Sequence, residues 1–197
     1  MENVQYFLDA FRKEDTLFLV DPILGDNGNT YKIFSGDLLS SMMRLTKIAN
    51  IITPNLTELR LLAGEDYHKL NEKSKDNDFI SRIEEIANKV RSKADVPQTV
   101  ITTGIIHEKD GIRYVENLAI SDTEKYYREN KYTGASFSGT GDLFASVVLG
   151  DLVRGNDAAH AVNLAMDFLQ PAIEEATEEN IDRNHGINFE KYLGKLI

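Results

Sequence analysis

The amino-acid sequence predicts an α/β fold in which a layered, mainly parallel sheet is flanked by helices. Two observations predict this fold class. Segments with apolar residues at helical spacing alternate along the chain with short, continuous apolar runs, which are typical of buried strands. Such alternation favours parallel strands, because each intervening helix carries the chain back to the starting end of the sheet. With 197 residues, of which 42% are hydrophobic, residues 1–197 are expected to form a single domain.

The first third of the chain alternates helix and strand. Residues 3–12 place apolar side chains at helical spacing, and the apolar run that follows ends at Asp21 and Pro22. Glycine and asparagine then predict a turn, and Ser35 is the expected N-cap of an amphipathic helix. The elements predicted in order are a helix at 3–12, a strand at 16–22, a turn at 24–30, a helix after Ser35, a strand at 48–53 and a helix from Asn55 to about Ala63.

The rest of the chain is predicted to hold one more buried strand, a hairpin and a helical C-terminal part. The dipeptide Asp110-Gly111 suits the positive backbone angles of a tight turn. Pro171 permits a kink in the longest helix. The elements predicted in order are a polar loop at 64–78, a helix at 79–93, a strand at 96–105, a hairpin at 105–120, a two-stranded element at 124–132, helices at 139–155 and 157–178, and a docked tail at 187–193.

The composition excludes several classes of function. The chain contains no cysteine, which excludes disulfides and thiolate chemistry. Its 32 acidic against 22 basic side chains give a net charge of -10, which argues against a nucleic-acid partner. No apolar run approaches the roughly 20 residues needed to span a bilayer, and the N-terminus has no signal-peptide pattern. We therefore expect a soluble, cytoplasmic protein.

Polar residues follow each predicted parallel strand. Ligands of open α/β sheets bind beyond the carboxyl ends of the strands, so these residues are the candidates for a site. They are Asp21-Pro22, Thr53-Pro54-Asn55, Thr102-Thr103-Gly104 and, before a helix, Gly139-Thr140-Gly141-Asp142.

The segment FSGTGDLF carries the strongest local signal. Gly139, Thr140 and Gly141 precede an apolar helix, so backbone N–H groups and the positive helix end can bind a phosphate. Asp142, in the first helical turn, can accept the proton of an alcohol that attacks a phosphoryl group. The alternative is that the glycines form a tight turn and that Asp142 only complements the helix dipole.

Three other segments each allow two interpretations. Asn55 and Glu58 either hold magnesium, directly or through water, or form a capping box, and the capping box is the favoured interpretation. Asp21 either orients a metal or phosphate or begins a turn. Thr102 and Thr103 either donate hydroxyl groups to a nucleotide phosphate or only close a strand. The histidines at 68, 107, 160 and 185 have no metal-ligand spacing and are interpreted as surface or packing residues.

Taken in order, four segments resemble the ribokinase superfamily and, within it, the pyridoxal and pyridoxamine kinases. The segments are VDPILGDNG with Tyr31 downstream, TPNLTEL, ITTG and FSGTGDLFASVVLG. The Asp-Pro-x-x-Gly-Asp and Gly-Thr-Gly-Asp patterns together are far more selective than either alone. The resemblance covers essentially the whole chain, including the terminal GINFEKYL, and implies a layered ribokinase-like α/β fold.

The resemblance implies a role for each candidate residue. An anion hole would be formed by Gly139, Thr140 and Gly141, with Asp142 as the catalytic base. The magnesium network would contain Asp21, Asn55 and Glu58, and the nucleotide would contact Thr102, Thr103 and Tyr31.

The resemblance also implies an activity. Members of the family carry a further N-terminal portion before the point at which this chain begins, so the chain is expected to be an N-terminally truncated, nucleotide-binding and catalytic part. The expected reaction is ATP-dependent phosphorylation of the hydroxymethyl group of pyridoxal, pyridoxine or pyridoxamine by a homodimer. ATP and Mg²⁺ are the expected cofactors, and a monovalent cation is a further candidate. The alternatives are a hydroxymethylpyrimidine or sugar kinase, or a catalytically silent nucleotide-binding or oligomerisation module.

Overall fold

The computed structural model describes residues 2–32, 36–65 and 78–197. Helices and strands alternate through its first half, and helices dominate its C-terminal part. The elements in chain order are α1 (Glu2–Phe11), β1 (Leu19–Val20), β2 (Gly25–Asp26), β3 (Asn29–Thr30), α2 (Asp37–Ile48), β4 (Ile51–Ile52), α3 (Leu56–Ala63), α4 (Phe79–Arg91), β5 (Thr99–Lys109), β6 (Ile112–Ile120), β7 (Lys125–Lys131), α5 (Thr140–Val153), α6 (Ala158–Glu178) and two 3₁₀ helices, Arg183–His185 and Phe189–Leu196.

Within these residues the central sheet has the strand order β1-β4-β5-β6-β7. Strand β4 pairs in parallel with β1 on one side and with β5 on the other. Strands β5, β6 and β7 then pair antiparallel, and we call them the antiparallel wing. A separate small hairpin is formed by β2 and β3, and its turn residues Asn27 and Gly28 have the positive φ angles expected for a tight two-residue turn.

Helices cover both faces of the sheet, which explains why the parallel strands are continuous apolar runs. One core lies between the sheet and helices α2, α3 and α4, and the other lies between the sheet, α5, α6 and the C-terminal tail. Neighbouring residues of each strand alternate between the two cores. The first core receives Val20, Ile52 and Val100, and the second receives Leu19, Ile51 and Ile101.

The structure confirms the predicted order of elements and corrects their extent. Strands β1 and β4 have only two residues each, because a proline, which has no backbone N–H, follows each of them: Pro22 after β1 and Pro54 after β4. The two-stranded element expected at 124–132 is wrong. That region is the single strand β7, which pairs with β6 because the short turn at 121–124 folds it back onto the preceding hairpin. Helix α6 continues through Pro171.

Two predicted features fall partly outside the described residues. Helix α2 begins at Asp37 with Gly36 at its N-cap, and the expected cap, Ser35, is not among the residues that the structure describes. Residues 66–77 of the predicted polar loop also lie outside them. Among the described helices, none combines the length and apolar character needed to cross a membrane.

Candidate active site

Polar residues gather where β1 and β4 end, beside Thr103 of β5, and we call this region the carboxyl edge. The Thr53 hydroxyl, just after β4, donates to Oδ1 of Asp21, just after β1, at 3.0 Å. The Thr103 amide donates to the Pro54 carbonyl at 2.9 Å, which continues the parallel register by one more bridge. The strands therefore hold three of the sequence-predicted segments side by side.

The N-terminus of helix α5 supplies the fourth segment. Gly139 occupies the N-cap position with a φ of 86°, in the left-handed region that favours glycine. Within the described residues, no side chain caps this end of α5, so its first N–H groups stay available to a ligand. A Cβ atom added at Gly141 would lie 3.9 Å from Oδ2 of Asp21, which places this helix end at the carboxyl edge. The predicted anion hole therefore faces the predicted metal-side carboxylate.

Two carboxylates lie at this junction. Burial raises the pKa of Asp21, the negative charge of Asp142 raises it further, and the Thr53 hydrogen bond opposes both effects. Asp142 is itself exposed, in the first turn of α5. The structure thus brings Asp21 and Asp142 close enough to repel each other, and a cation bound between them would offset that repulsion.

Asn55 and Glu58 form the favoured capping box. The Glu58 amide donates to Oδ1 of Asn55 at 3.0 Å, and the Asn55 amide donates to Oε2 of Glu58 at 2.9 Å. The two side chains also hold the segment after β1: Oε1 of Glu58 accepts from the Leu24 amide at 2.8 Å, and Nδ2 of Asn55 donates to the Gly25 carbonyl at 2.8 Å. The pair therefore ties the β2 region to the start of α3.

These contacts limit how Glu58 can bind a metal ion. Burial, followed by the charge of Asp21, raises the pKa of Glu58 to about 7, although backbone N–H donors oppose the shift. Both of its carboxylate oxygens already accept hydrogen bonds. Of the three candidate residues, Asp21 has the better-placed oxygen, because Oδ2 faces α5. Hard carboxylate oxygens at this point suit Mg²⁺, with Asn55 acting through water and Glu58 acting through water or through its charge.

The three candidate nucleotide contacts have different environments. The side chain of Thr102 is fully buried, and its hydroxyl has no hydrogen-bond partner in the part of the chain that the structure describes. Thr103 is half-buried and more accessible. Tyr31 is 43% exposed, and burial together with the charges of nearby acids raises its pKa. Thr103 is therefore the better candidate of the two threonines for contact with a phosphate.

A cleft of about 500 Å³ opens beside the anion hole. Its walls come from the β2–β3 turn, the start of α3, the antiparallel wing, the loop before α5 and one face of α6. Thr140 of the anion hole and Asn55 of the carboxyl edge both line it. Its volume lies in the range of sites that bind cofactors, so a nucleotide can lie in this cleft with its phosphates toward α5.

Sequence reasoning missed Arg183. The Ser138 amide, just before the anion hole, donates to the Arg183 carbonyl at 3.0 Å. The Arg183 guanidinium lies 3.6 Å from Oδ2 of Asp26 in the β2–β3 hairpin, and its positive charge acts on Tyr31. The segment DRNHG, a cation among turn residues after a long helix, is the signal that could have identified it.

Comparison with known proteins identifies the family. The model of the phosphomethylpyrimidine kinase family matches residues 1–188, and the chain belongs to that family. A hydroxymethylpyrimidine/phosphomethylpyrimidine kinase of Aquifex aeolicus is 23% identical over 177 residues, which cover 89% of this chain and 64% of that protein.

Solved structures share the fold. A Bacteroides thetaiotaomicron protein, assigned as a phosphomethylpyrimidine kinase and crystallised with pyridoxal, is 31% identical, with a TM-score of 0.85. The match covers 99% of this chain and 65% of that one. The pyridoxal kinase of Leishmania donovani, in complex with ADP and ginkgotoxin, has a TM-score of 0.73 at 24% identity, over 99% of this chain and 62% of that one. The expected ribokinase-like α/β fold, with a central sheet flanked by helices, is confirmed, and β1, β4 and β5 form the parallel part of that sheet.

The family model and the solved structures place the chain among kinases that share this fold. The chain spans about half the length of the first curated relatives that it matches. Pyridoxal kinases and hydroxymethylpyrimidine kinases both occur among its relatives.

Proposed function

We propose that this chain carries the catalytic part of an ATP-dependent kinase that phosphorylates the hydroxymethyl group of pyridoxal, pyridoxine or pyridoxamine. The approach of Gly141 and Asp142, at the start of α5, to Asp21 at the end of β1 carries this proposal. An anion hole, a base and a metal-side carboxylate then meet beside a cleft of nucleotide size. The pyridoxal bound to the Bacteroides thetaiotaomicron relative supports a vitamin B6 compound as the acceptor.

Asp142 is the proposed catalytic base. Its carboxylate accepts the hydroxymethyl proton as the substrate oxygen attacks the γ-phosphorus of ATP. The new O–P bond forms as the bond between the γ-phosphorus and the β–γ bridging oxygen breaks, and ADP leaves with that electron pair. The amides at Gly139, Thr140 and Gly141 donate to the transferring phosphoryl group, whose charge they stabilise without rearrangement.

Mg²⁺ is the proposed metal cofactor. When bound, it neutralises phosphate charge and thereby favours phosphoryl transfer. Asp21 would hold it, with Asn55 and Glu58 supporting it through water. The adenine and ribose of ATP are placed in the cleft, with Thr103 near the phosphates and Tyr31 near the hairpin side.

A hydroxymethylpyrimidine kinase is the second candidate. The family model that matches residues 1–188 favours it. Both reactions transfer a phosphoryl group to a hydroxymethyl group on an aromatic ring, so the same base and anion hole serve both. The residues that contact the acceptor ring distinguish the two kinases, whereas the residues of the carboxyl edge serve both reactions.

Substrate profiling tests the proposal. Purified protein is given MgATP with pyridoxal, pyridoxine, pyridoxamine, hydroxymethylpyrimidine or ribose, and ADP release and product mass are measured. Preferred phosphorylation of a B6 compound supports the first candidate, whereas preferred phosphorylation of the pyrimidine replaces it with the second.

Calorimetry is expected to show tighter binding of MgATP than of pyridoxal, because the nucleotide-side segments all lie on this chain. ATP binding without any turnover would indicate a silent nucleotide-binding module, and failure to bind ATP would overturn both candidates.

A homodimer stays a prediction. Its support is a group of aromatic side chains on α1: Tyr6, Phe7 and Phe11 are 76%, 59% and 65% exposed. Exposed apolar groups of this size favour association. Sedimentation is expected to show dimers that Phe7→Ser and Phe11→Ser together weaken, and a monomer at all concentrations would contradict the prediction.

A further inference from the structure

Three metal-binding side chains converge on the antiparallel wing, away from the kinase site. Glu116 of β6 lies directly opposite Glu129 of β7 in the strand register. His107 of β5 lies two residues beyond Ile105, which is opposite Glu116. Because side chains two residues apart share a face, these three side chains lie on one face of the sheet. Their nearest ligand atoms all lie within 4.8 Å of one another.

The spacing within this cluster suits a small divalent cation. Nε2 of His107 lies 3.1 Å from Oε2 of Glu116 and 3.2 Å from Oε2 of Glu129. A tetrahedral zinc site with metal–ligand distances of about 2.0–2.2 Å separates its ligand atoms by about 3.3–3.6 Å. The imidazole nitrogen therefore already lies at nearly the ligand–ligand distance of such a site from each of the two carboxylate oxygens.

The imidazole nitrogen faces the two carboxylates but has no well-formed hydrogen bond. The His107 side chain is only 5% exposed, and Nε2 makes no hydrogen bond of acceptable geometry with any residue that the structure describes. A buried polar atom without a partner costs free energy, and coordination of a metal ion would remove that cost. His107 was expected to be a surface or packing residue, but the strand register aims it at two carboxylates.

The charges around the cluster also favour a cation. Like charges directly opposite each other on neighbouring strands are destabilising, and Glu116 is buried. Lys109 offers one compensating charge, with Nζ 2.7 Å from Oε2 of Glu129, but its side chain is 55% exposed. On the helix packed against this face, Glu84 is engaged by Lys125 and by the Tyr127 hydroxyl. With both glutamates ionised, the cluster and Lys109 together carry one net negative charge.

We propose that His107, Glu116 and Glu129 bind one divalent transition-metal ion of the zinc type. One imidazole nitrogen with two carboxylate oxygens is a mixed donor set that suits Zn²⁺ better than Mg²⁺, which prefers oxygen ligands alone. Ile106 and Val115, which alternate with His107 and Glu116, line the nucleotide cleft on the opposite face of the sheet. A metal ion here would hold three strands together directly behind one wall of that cleft.

Calorimetry with ZnCl₂ tests the site on the full chain, after chelator treatment and dialysis, with excess Mg²⁺ present to fill oxygen-only sites. Wild-type protein is expected to bind one Zn²⁺ and to gain thermal stability. Glu129→Gln is expected to weaken Zn²⁺ binding by more than about 10-fold through loss of one ligand. Glu129 is partly exposed, so this variant is expected to fold, and circular dichroism checks it. Glu108→Gln, at an exposed position of β5, the strand that carries His107, is the control.

Two further variants sharpen the test. His107→Gln is expected to abolish the visible absorption of bound Co²⁺, used as a spectroscopic substitute for Zn²⁺. Lys109→Met removes the cation that competes for Glu129 and is expected to increase Zn²⁺ affinity several-fold. If the cluster served only as an ion-pair network, Lys109→Met would give no such gain. Absence of saturable Zn²⁺ binding by wild-type protein, or equal affinity of wild type and Glu129→Gln, would overturn the proposal.

Discussion

The carboxyl edge and the antiparallel wing belong to one sheet but gather their polar residues in different ways. At the carboxyl edge, polar residues follow short parallel strands, as Asp21 follows β1 and Thr53 follows β4. In the wing, polar residues lie within long strands and face one another across them, as Glu116 faces Glu129. The first arrangement leaves Oδ2 of Asp21 and the uncapped N–H groups of α5 facing each other, whereas the second places two acidic groups against each other within the sheet.

The two arrangements differ in how readily a polar cluster can be recognised from the amino-acid sequence. Residues that follow parallel strands meet at one edge for any strand lengths, because the strands all end there. Residues within antiparallel strands meet only in one register, and a shift of one residue sends them to the opposite face. Substitutions test the comparison of the two regions when they separate a loss of ligand binding from a loss of stability.

The largest effect is expected for Asp142→Asn. The amide keeps the size of the side chain but cannot accept the substrate proton, so turnover should fall by roughly 10² to 10⁴-fold. MgATP binding should survive. Asp37→Asn is the matched control, because Asp37 is also an exposed acid in the first turn of a helix without a side-chain N-cap. If the two variants lose similar stability and both keep full turnover, Asp142 serves only the helix dipole.

The second-largest effect is expected when the backbone of the proposed anion hole is changed at Gly139. Gly139→Ala forces a Cβ into the left-handed region, at a cost of roughly 1–2 kcal/mol, and is expected to weaken MgATP binding. Gly150→Ala, in the same helix and in open space, is expected to raise stability by about 1 kcal/mol. Thermal unfolding and calorimetry measure both variants. Unchanged ATP affinity in a folded Gly139→Ala protein would count against the anion hole.

Thr102 and Thr103 of β5 lie between the two regions, and substitution of each by valine is expected to have opposite effects. Thr102→Val replaces a buried hydroxyl without a partner among the described residues, so stability should rise by about 1 kcal/mol with ATP affinity unchanged. Thr103→Val removes the more accessible hydroxyl and should weaken ATP binding. Chemical denaturation and nucleotide titration separate the two effects, and a loss of ATP affinity in Thr102→Val alone would reverse the assignment.

The smallest effect is expected for Arg183→Gln. Its ion pair with Asp26 is exposed, so the free energy of unfolding should change by less than about 1 kcal/mol. If the guanidinium also meets a phosphate, MgATP affinity should fall several-fold, and this loss should shrink at high salt. Arg44→Gln, an exposed arginine on α2, removes the same charge elsewhere and is the control. Equal ATP affinities in the two variants would exclude Arg183 from the site.

Most of the carboxyl edge could be predicted from the sequence. Strand-ending residues such as Asp21 and a glycine pair before an apolar helix are local patterns, and their meeting follows from the general geometry of parallel strands. The capping box of Asn55 and Glu58 was likewise predictable, since its residues lie three apart on one helical turn. The sequence did not indicate that Glu58 also holds the Leu24 amide, because that contact depends on how α3 packs beneath β2.

Other features required the tertiary structure. Thr102 and Thr103 are the same residue type at adjacent positions, yet only the first hydroxyl is fully buried, because neighbouring strand residues point to opposite faces of the sheet. His107 has no ligand spacing along the chain, because its partners Glu116 and Glu129 reach it only through two antiparallel registers. The order of most elements and the motifs of the proposed phosphate site could be predicted from the chain alone, because they depend on local periodicity and turn chemistry. The burial of each polar group and the cluster of the wing depend on strand register and packing, which join residues that are distant in the chain.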